Sequence, residues 1–385
     1  MGTTERESDP IAALILDRLS CTEYACSSLS RVNGGLMNFI YRGTLSRPLP
    51  DGATTVIVKH AEEYLSGIEG LSLSTYRSVI AAITLSFGYC VMDVESVQTN
   101  RYCVALDEVE VAVPRVYKFD AESNTQILED ITGYITVCEF LTSRCTQSTS
   151  PAFTTRLGFR LGSWLGGLHA WGEGRSPAEI IGGVEENQEA QDGSFDFFYG
   201  NPVRRVEQFP HLLGDCKEVL EQIRDRAARE QKSRTGEKFG FVHGDILSRK
   251  SVLIPGDSVT RDQHLRFVII DWELSQYECH FRECGEVLGD LYLLKRFQDI
   301  DGAMSIIQGF LEGYPPLNED AIFRTAIYLG LFLLANEVTL STDYPKQQIE
   351  DFVILARDLV LAGWHKDRET LAKTVFGPVF FRAMN

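Results

Sequence analysis

The segment 241-FVHGDILSRKSVLI-254 runs through a polar turn, 256-GDSVTRDQH-264, into 265-LRFVIIDWE-273, and its reading decides the fold. Ser251 to Ile254 and Arg266 to Ile270 are short apolar runs rich in β-branched residues, the pattern of buried strands on either side of a loop. Asp245 lies on the loop entering the first run and Asp271 at the exit of the second. A hairpin therefore brings both carboxylates to one end of its sheet. Carboxylates so placed can divide the work of phosphoryl transfer: one orients an attacking hydroxyl or accepts its proton, and the other holds Mg²⁺ against nucleotide phosphates. Loop aspartates also cap turns, so the residues around them decide between the two roles.

At 385 residues the chain exceeds one ordinary core, and two lobes are expected. A net charge of −17 leaves no basic stripe to release counterions from nucleic-acid phosphates, which argues against nucleic-acid binding. The acidic surface suits solubility and is also compatible with a cationic substrate. Nine cysteines form no C-x-x-C pair and are odd in number, so neither a zinc site nor a disulfide framework is indicated, and reduced thiols in the cytoplasm are expected. The opening MGTTERESDP has no apolar signal core, and Arg6 stands where a myristoylation motif needs Ser or Thr. The longest apolar run, Ala326 to Ala335, is about half of what a bilayer span requires and reads as a core helix; no membrane partner is expected.

Taken in order, residues 11 to 19 form an amphipathic helix, and Arg31 to Arg42 contains a Gly34-Gly35 turn whose backbone amides can approach phosphates. Thr54 to Lys59 is a β-branched strand ending in a lysine. A helix is expected over Leu73 to Phe87, and strands over Val109 to Tyr117 and Thr125 to Ile131. Gly133 then breaks the chain. Ala152 to Trp171 reads as a long amphipathic helix with Leu157, Leu161, Trp164, Leu165 and Leu168 on one face, and with His169 in a core or interface role. Residues 172 to 200, rich in Gly, Glu, Asp and Asn, read as a long surface loop. Helices are expected over Leu213 to Arg229, Gly285 to Phe297, Ala303 to Tyr314, Glu319 to Leu340 and Lys346 to Trp364. No internal repeat or low-complexity segment is visible.

His243-Gly244-Asp245 followed by Ile270-Asp271-Trp272-Glu273 resembles the aminoglycoside phosphotransferase and choline kinase superfamily, in which HGD stands where protein kinases carry HRD and D-W/F-E replaces DFG. Gly285, Leu288-Gly289-Asp290-Leu291-Tyr292-Leu293 and Arg296-Phe297-Gln298-Asp299 are similar to a methylthioribose-kinase-like fungal branch, and the likeness spans about Asn33 to Asp299. The resemblance implies a two-lobed α+β fold of the protein-kinase type. Residues 1–130 would form an antiparallel-sheet lobe, residues 131–385 a mainly helical lobe, and residues 128 to 132 the hinge. It implies ATP and Mg²⁺ as cofactors and a small molecule bearing a hydroxyl as acceptor. The phosphates would fall to Gly34, Gly35, Asn38 and Lys59, and the adenine edge to backbone groups near Glu129 and Ile131. Asp245, with His243, would be catalytic, and Asp271 would be the metal ligand. The acceptor pocket would be built from large-lobe helices and the 172 to 200 segment.

Against that pattern stand several departures. From Gly70 through Met92 there is no acidic residue, and Ala81 occupies the position of the glutamate that should orient Lys59. The asparagine five residues after the HGD aspartate, a metal ligand in the family, becomes Lys250 in a gapless alignment, or Ser251 if the loop carries one inserted residue. Neither is an equivalent ligand: a charged lysine has no lone pair, and serine is a weak neutral donor. Arg249 replaces a loop glycine, Glu278 another glycine, and Glu283 an aspartate. Two functions follow: an ATP-dependent phosphotransferase acting on a small-molecule hydroxyl, or a catalytically altered kinase fold, either a pseudokinase or an enzyme using the old cleft for other chemistry.

Overall fold

The computed structural model describes residues 9–32, 37–66, 74, 75, 77–82, 84, 85, 109–143, 150–173, 175, 188–234, 236, 238–256 and 265–382. They fall into two compact units, one of residues up to 97 with 113–132, the other of 98–112 with 133 onward.

The first unit is an antiparallel five-stranded sheet. Its strands are β1 (Cys26–Arg31), β2 (Phe39–Leu45), β3 (Thr55–His60), β5 (Val116–Asp120) and β6 (Thr125–Glu129), in the order β1-β2-β3-β6-β5. Phe39, Tyr41 and Leu45 alternate onto the buried face of β2 and meet Val56 and Val58 of β3. Helix α1 (Pro10–Leu19) closes this core with Ile15 and Leu19. Asp9 caps α1, its Oδ1 accepting from the amides of Ile11 and Ala12 while Oδ2 accepts from the Tyr41 hydroxyl at 2.7 Å. One capping residue thus fixes the helix to the sheet.

Val109–Ala112, expected among the small-lobe strands, instead forms β4 in the second unit and runs parallel to β10 (Leu265–Ile269). Ala112 and Val113 are buried, and Pro114, which has no N–H to give to a ladder, ends the pairing before β5 begins. The strand covers an edge of β10 that would otherwise be open. With β7 (Tyr134–Thr136) and β9 (Val252–Pro255) it completes a sheet of order β4-β10-β9-β7, and β8 (Phe239–Val242) pairs separately with β11 (Gln276–Cys279).

The rest of the second unit is helical. Helix α2 (Val137–Thr142) carries a reciprocal Thr136–Glu139 cap. Helix α3 (Pro151–Gly172) crosses a later helix, Asp301–Gly313, at backbone contact distance. A Cβ on Gly158 would lie 2.0 Å from the Ile306 carbonyl oxygen, and one on Gly309 would lie 1.8 Å from that of Thr155. Only glycine permits this approach. Helices α4 (Gln188–Phe195), α5 (Asn201–Gln208), α6 (Pro210–Leu213) and α7 (Lys217–Ser233) follow. Helix α8 (His280–Gln298) is buried from His280 to Leu294, and α9 (Asp301–Gly313), α10 (Glu319–Ala335), α11 (Lys346–His365), α12 (Arg368–Lys373) and α13 (Gly377–Arg382) complete the unit. Every residue of α10 from Ala321 to Ala335 is buried, as its apolar run requires. No helix among the described residues is long and apolar enough to cross a membrane.

Some expected boundaries differ. Residues 188–200, read as part of a surface loop, are helical: α4 continues into a π-helical turn, Asp196–Gly200. The polar composition hides Phe198 and Tyr199, which are buried against Phe332 and Tyr328 of α10. Helix α8 starts five residues before Gly285. Helix α10 stops at Ala335, where the Asn336 side chain accepts from the Val338 amide and starts a separate 3₁₀ turn.

Candidate functional site

Strands β9 and β10 are antiparallel with Val252 opposite Ile269, so the loop entering β9 and the loop leaving β10 emerge at the same end. Asp245 stands on the first loop and Asp271 on the second. Asp271 adopts a left-handed backbone (φ 65°, ψ 53°), a conformation open to Asp at some cost in strain. After it, the Trp272 ring is buried edge-on to Trp164, with its Nε1–H donating to the Ile269 carbonyl at 3.2 Å.

The Asp245 loop is tied at every turn. His243 is fully buried; its Nε2 meets the Ile270 carbonyl at 3.0 Å, its Nδ1 accepts from the Asp245 amide at 3.3 Å, and its ring packs 4.5 Å from Trp272. It therefore links the two aspartate loops without exposing a proton-transfer atom. Gly244 has φ +88°, and a Cβ there would lie 2.3 Å from the Leu274 carbonyl oxygen, so glycine is obligatory. Its amide donates to Glu283 Oε1 at 2.6 Å, while Glu283 Oε2 accepts from His169 Nε2 at 2.8 Å and His169 Nδ1 meets the Tyr314 hydroxyl at 2.7 Å. Burial pushes the Glu283 carboxyl up, but the hydrogen bond and charge of His169, the charge of His243 and the Gly244 amide hold it below its ordinary value. An ionised, buried acceptor thus fixes the His243–Asp245 turn.

Ser251 is fully buried and faces its own loop. Its hydroxyl accepts from the Leu247 amide at 2.8 Å and donates to the Asp245 carbonyl. Ser248 donates its amide and hydroxyl to Asp290 on α8, and Arg249 pairs with the other Asp290 oxygen at 3.3 Å. Lys250 remains, with its Nζ 3.7 Å from Asp245 Oδ2 and its side chain 47% exposed. Of Lys250 and Ser251, Lys250 is the one whose polar end lies beside the Asp245 carboxylate.

The Asp245 side chain is only 14% exposed. Burial, with the charges of Asp271, Glu273 and Asp290 adding to it and that of Lys250 opposing, raises its pKa to about 6.

In the first unit, Lys59 lies near the end of β3, 8% exposed, opposite Ile40 on one side and Gln126 on the other. Residues 77–82, 84 and 85 are helical and Ala81 is buried among them, so the described part of this helix carries no carboxylate. Arg77 of this helix is buried and donates to the carbonyls of Met37 (2.9 Å) and Glu62 (3.0 Å) and to Asn38 Oδ1 (3.1 Å). It anchors the chain at Met37 and Asn38 and engages the Asn38 acceptor. Gly34 and Gly35 lie outside the described residues. The Glu129 amide donates to the Arg115 carbonyl and its Oε2 accepts from the Arg115 amide, so Glu129 secures β6 to β5; Ile131 follows, half-buried, just before the boundary between the units.

The sequence reading had no role for Arg77 and did not foresee Asp290 or Glu283 as loop anchors. Glu283 was visible only as a departure, yet its extra methylene lets one carboxylate reach both Gly244 and His169.

No protein-family model matches the chain. By sequence it is 24% identical to a 4-hydroxytryptamine kinase of Psilocybe cubensis, over 83% of this chain and 81% of that protein. It is 23% identical to a 4-hydroxytryptamine kinase of Psilocybe cyanescens, over 76% of this chain and 75% of that one. A choline/ethanolamine kinase family protein of Mesorhizobium loti superposes with a TM-score of 0.43 at 14% identity, covering 96% of this chain and 98% of the other. Over most of its length the chain is thus similar in sequence to proteins named 4-hydroxytryptamine kinase.

Proposed function

We propose that the protein transfers the γ-phosphoryl group of ATP to a hydroxyl of a small molecule. One observation carries the reading: the antiparallel β9–β10 pair brings the loops of Asp245 and Asp271 out at the same sheet end, where burial raises the Asp245 pKa to about 6. At neutral pH that carboxylate is ionised yet more basic than an ordinary aspartate, as a residue that takes a proton from an alcohol in the transition state should be.

In this account the acceptor hydroxyl donates to Asp245 and loses its proton to it as the oxygen bonds to the γ-phosphorus; the bond from that phosphorus to the bridging oxygen breaks, and ADP leaves with the electron pair. Asp271 would supply carboxylate oxygen to Mg²⁺, and that ion would offset developing charge on the phosphates. A half-buried carboxylate suits that ion, which keeps waters and substrate phosphates as most of its ligands. Lys59 is assigned to the α and β phosphates, the turn at Gly34 and Gly35 to covering them, and backbone groups near Glu129 and Ile131 to the adenine edge. Asn38, whose acceptor holds Arg77, supports the turn. His243 and Glu283 keep Asp245 in place.

Calorimetry with ATP·Mg²⁺ tests the reading. Micromolar binding that weakens when Lys59 is replaced by alanine is expected. Absence of binding would favour the altered-cleft alternative, in which the departures at Ala81 and Lys250 have removed nucleotide handling.

A further inference from the structure

The loop between Asp245 and β9 has to provide for the phosphates' charge on its side of the site, and its side chains can be accounted for one by one. Ile246 and Leu247 are apolar and buried. Ser248 spends both its amide and its hydroxyl on Asp290. Arg249 pairs with the same carboxylate, and Ser251 staples the loop from inside. No side chain from 246 to 251 offers an uncommitted neutral oxygen to a metal ion. Beside the Asp245 carboxylate stands the Lys250 ammonium, 3.7 Å away and half-exposed, within reach of an incoming anion. Among the described residues, no group of three or more His, Cys, Asp or Glu side chains gathers to hold a metal ion.

We propose that the Lys250 ammonium takes the electrostatic place of a second divalent cation, so that the phosphates are served by one metal ion, at Asp271, and by this lysine. The inference rests on the phosphotransferase reading. An ammonium has no lone pair, so it cannot ligate a metal, and its charge repels one at short range. The same charge attracts phosphate oxygens directly. Lys250 is therefore a phosphate-binding residue, and the site is built for one metal where protein kinases use two.

The test counts metal ions rather than turnover. Mn²⁺ binding to the full chain is measured by electron paramagnetic resonance with saturating β,γ-imido-ATP, for the native protein, Lys250→Asn and Lys250→Met. The native chain should hold about one Mn²⁺, and Lys250→Asn, which restores a neutral oxygen, about two. Lys250→Met should stay at about one while binding the analogue about tenfold more weakly, the loss of one charged contact. The exposed position of Lys250 makes all three proteins expected to fold, which circular dichroism checks. Two Mn²⁺ ions on the native chain, one on Lys250→Asn, or unchanged affinity in Lys250→Met would each overturn the inference and leave the kinase reading standing. Failure of the native chain to bind the analogue at any Mn²⁺ concentration would overturn both.

Discussion

Replacing Asp245 by asparagine should stabilise the protein while slowing its chemistry by about 10²-fold or more. Among the described residues, the Asp245 carboxylate has no hydrogen-bond donor beyond the charge of Lys250, and its pKa rises from 3.8 to about 6. The folded state therefore holds a proton that the unfolded chain releases nearer pH 4. Between those values the native state binds more protons than the unfolded one, and stability falls as pH rises through the window, levelling off above about 6. A shift from 3.8 to about 6 corresponds to about 3 kcal/mol at pH 7.5, since each pKa unit is worth about 1.4 kcal/mol. Asparagine has no such titration. Urea unfolding of native protein and Asp245→Asn at intervals from pH 4 to 7.5 should show the two nearly equal at the acid end, with the variant ahead by about 1–3 kcal/mol at pH 7.5. A variant less stable than the native protein at pH 7.5, or a difference that does not change with pH, would refute the argument that burial strains this carboxylate for catalysis.

Removing the cation beside Asp245, by Lys250→Ala, should raise its pKa further and move the acid limb of the rate profile to higher pH, which a pH series of initial rates would register. Glu283→Gln should cost about 1.5–3 kcal/mol, because the Gly244 amide loses a charged acceptor, and should lower the transfer rate through a displaced Asp245; denaturation and turnover are measured together. Gly309→Ala, whose Cβ would sit 1.8 Å from the Thr155 oxygen, should lose at least about 2 kcal/mol by forcing α3 and α9 apart, with no selective effect on nucleotide binding in the folded fraction.

The hairpin and its two aspartates were legible because β-branched runs and motif spacing are local signals, and both strands fell within one residue of their expected limits. The helices were legible in existence but not in extent: α8 begins at His280 because tertiary burial, not amphipathic periodicity, holds its first turn. The long-range contacts were hidden. That β4 would leave the first sheet for β10 depends on a parallel pairing across more than 150 residues, and nothing in Val109–Ala112 names its partner. Arg77 reaching Met37, or Glu283 joining Gly244 to His169, likewise requires the folded backbone. Conversely, the polar composition of residues 188–200 concealed Phe198 and Tyr199, two aromatics whose burial anchors the end of that segment.

Transfer of a phosphoryl group to a small alcohol, with Asp245 as base, is tested most directly by its products. The chain is incubated with ATP, Mg²⁺ and a panel of small hydroxyl compounds, including amino alcohols and hydroxylated aromatic amines, and the products are identified by mass spectrometry. The account predicts that at least one compound gains a phosphoryl group with equal release of ADP, and that Asp245→Asn slows this by about 10²-fold or more. ATP·Mg²⁺ binding without transfer to any compound, or transfer undiminished in Asp245→Asn, would contradict it.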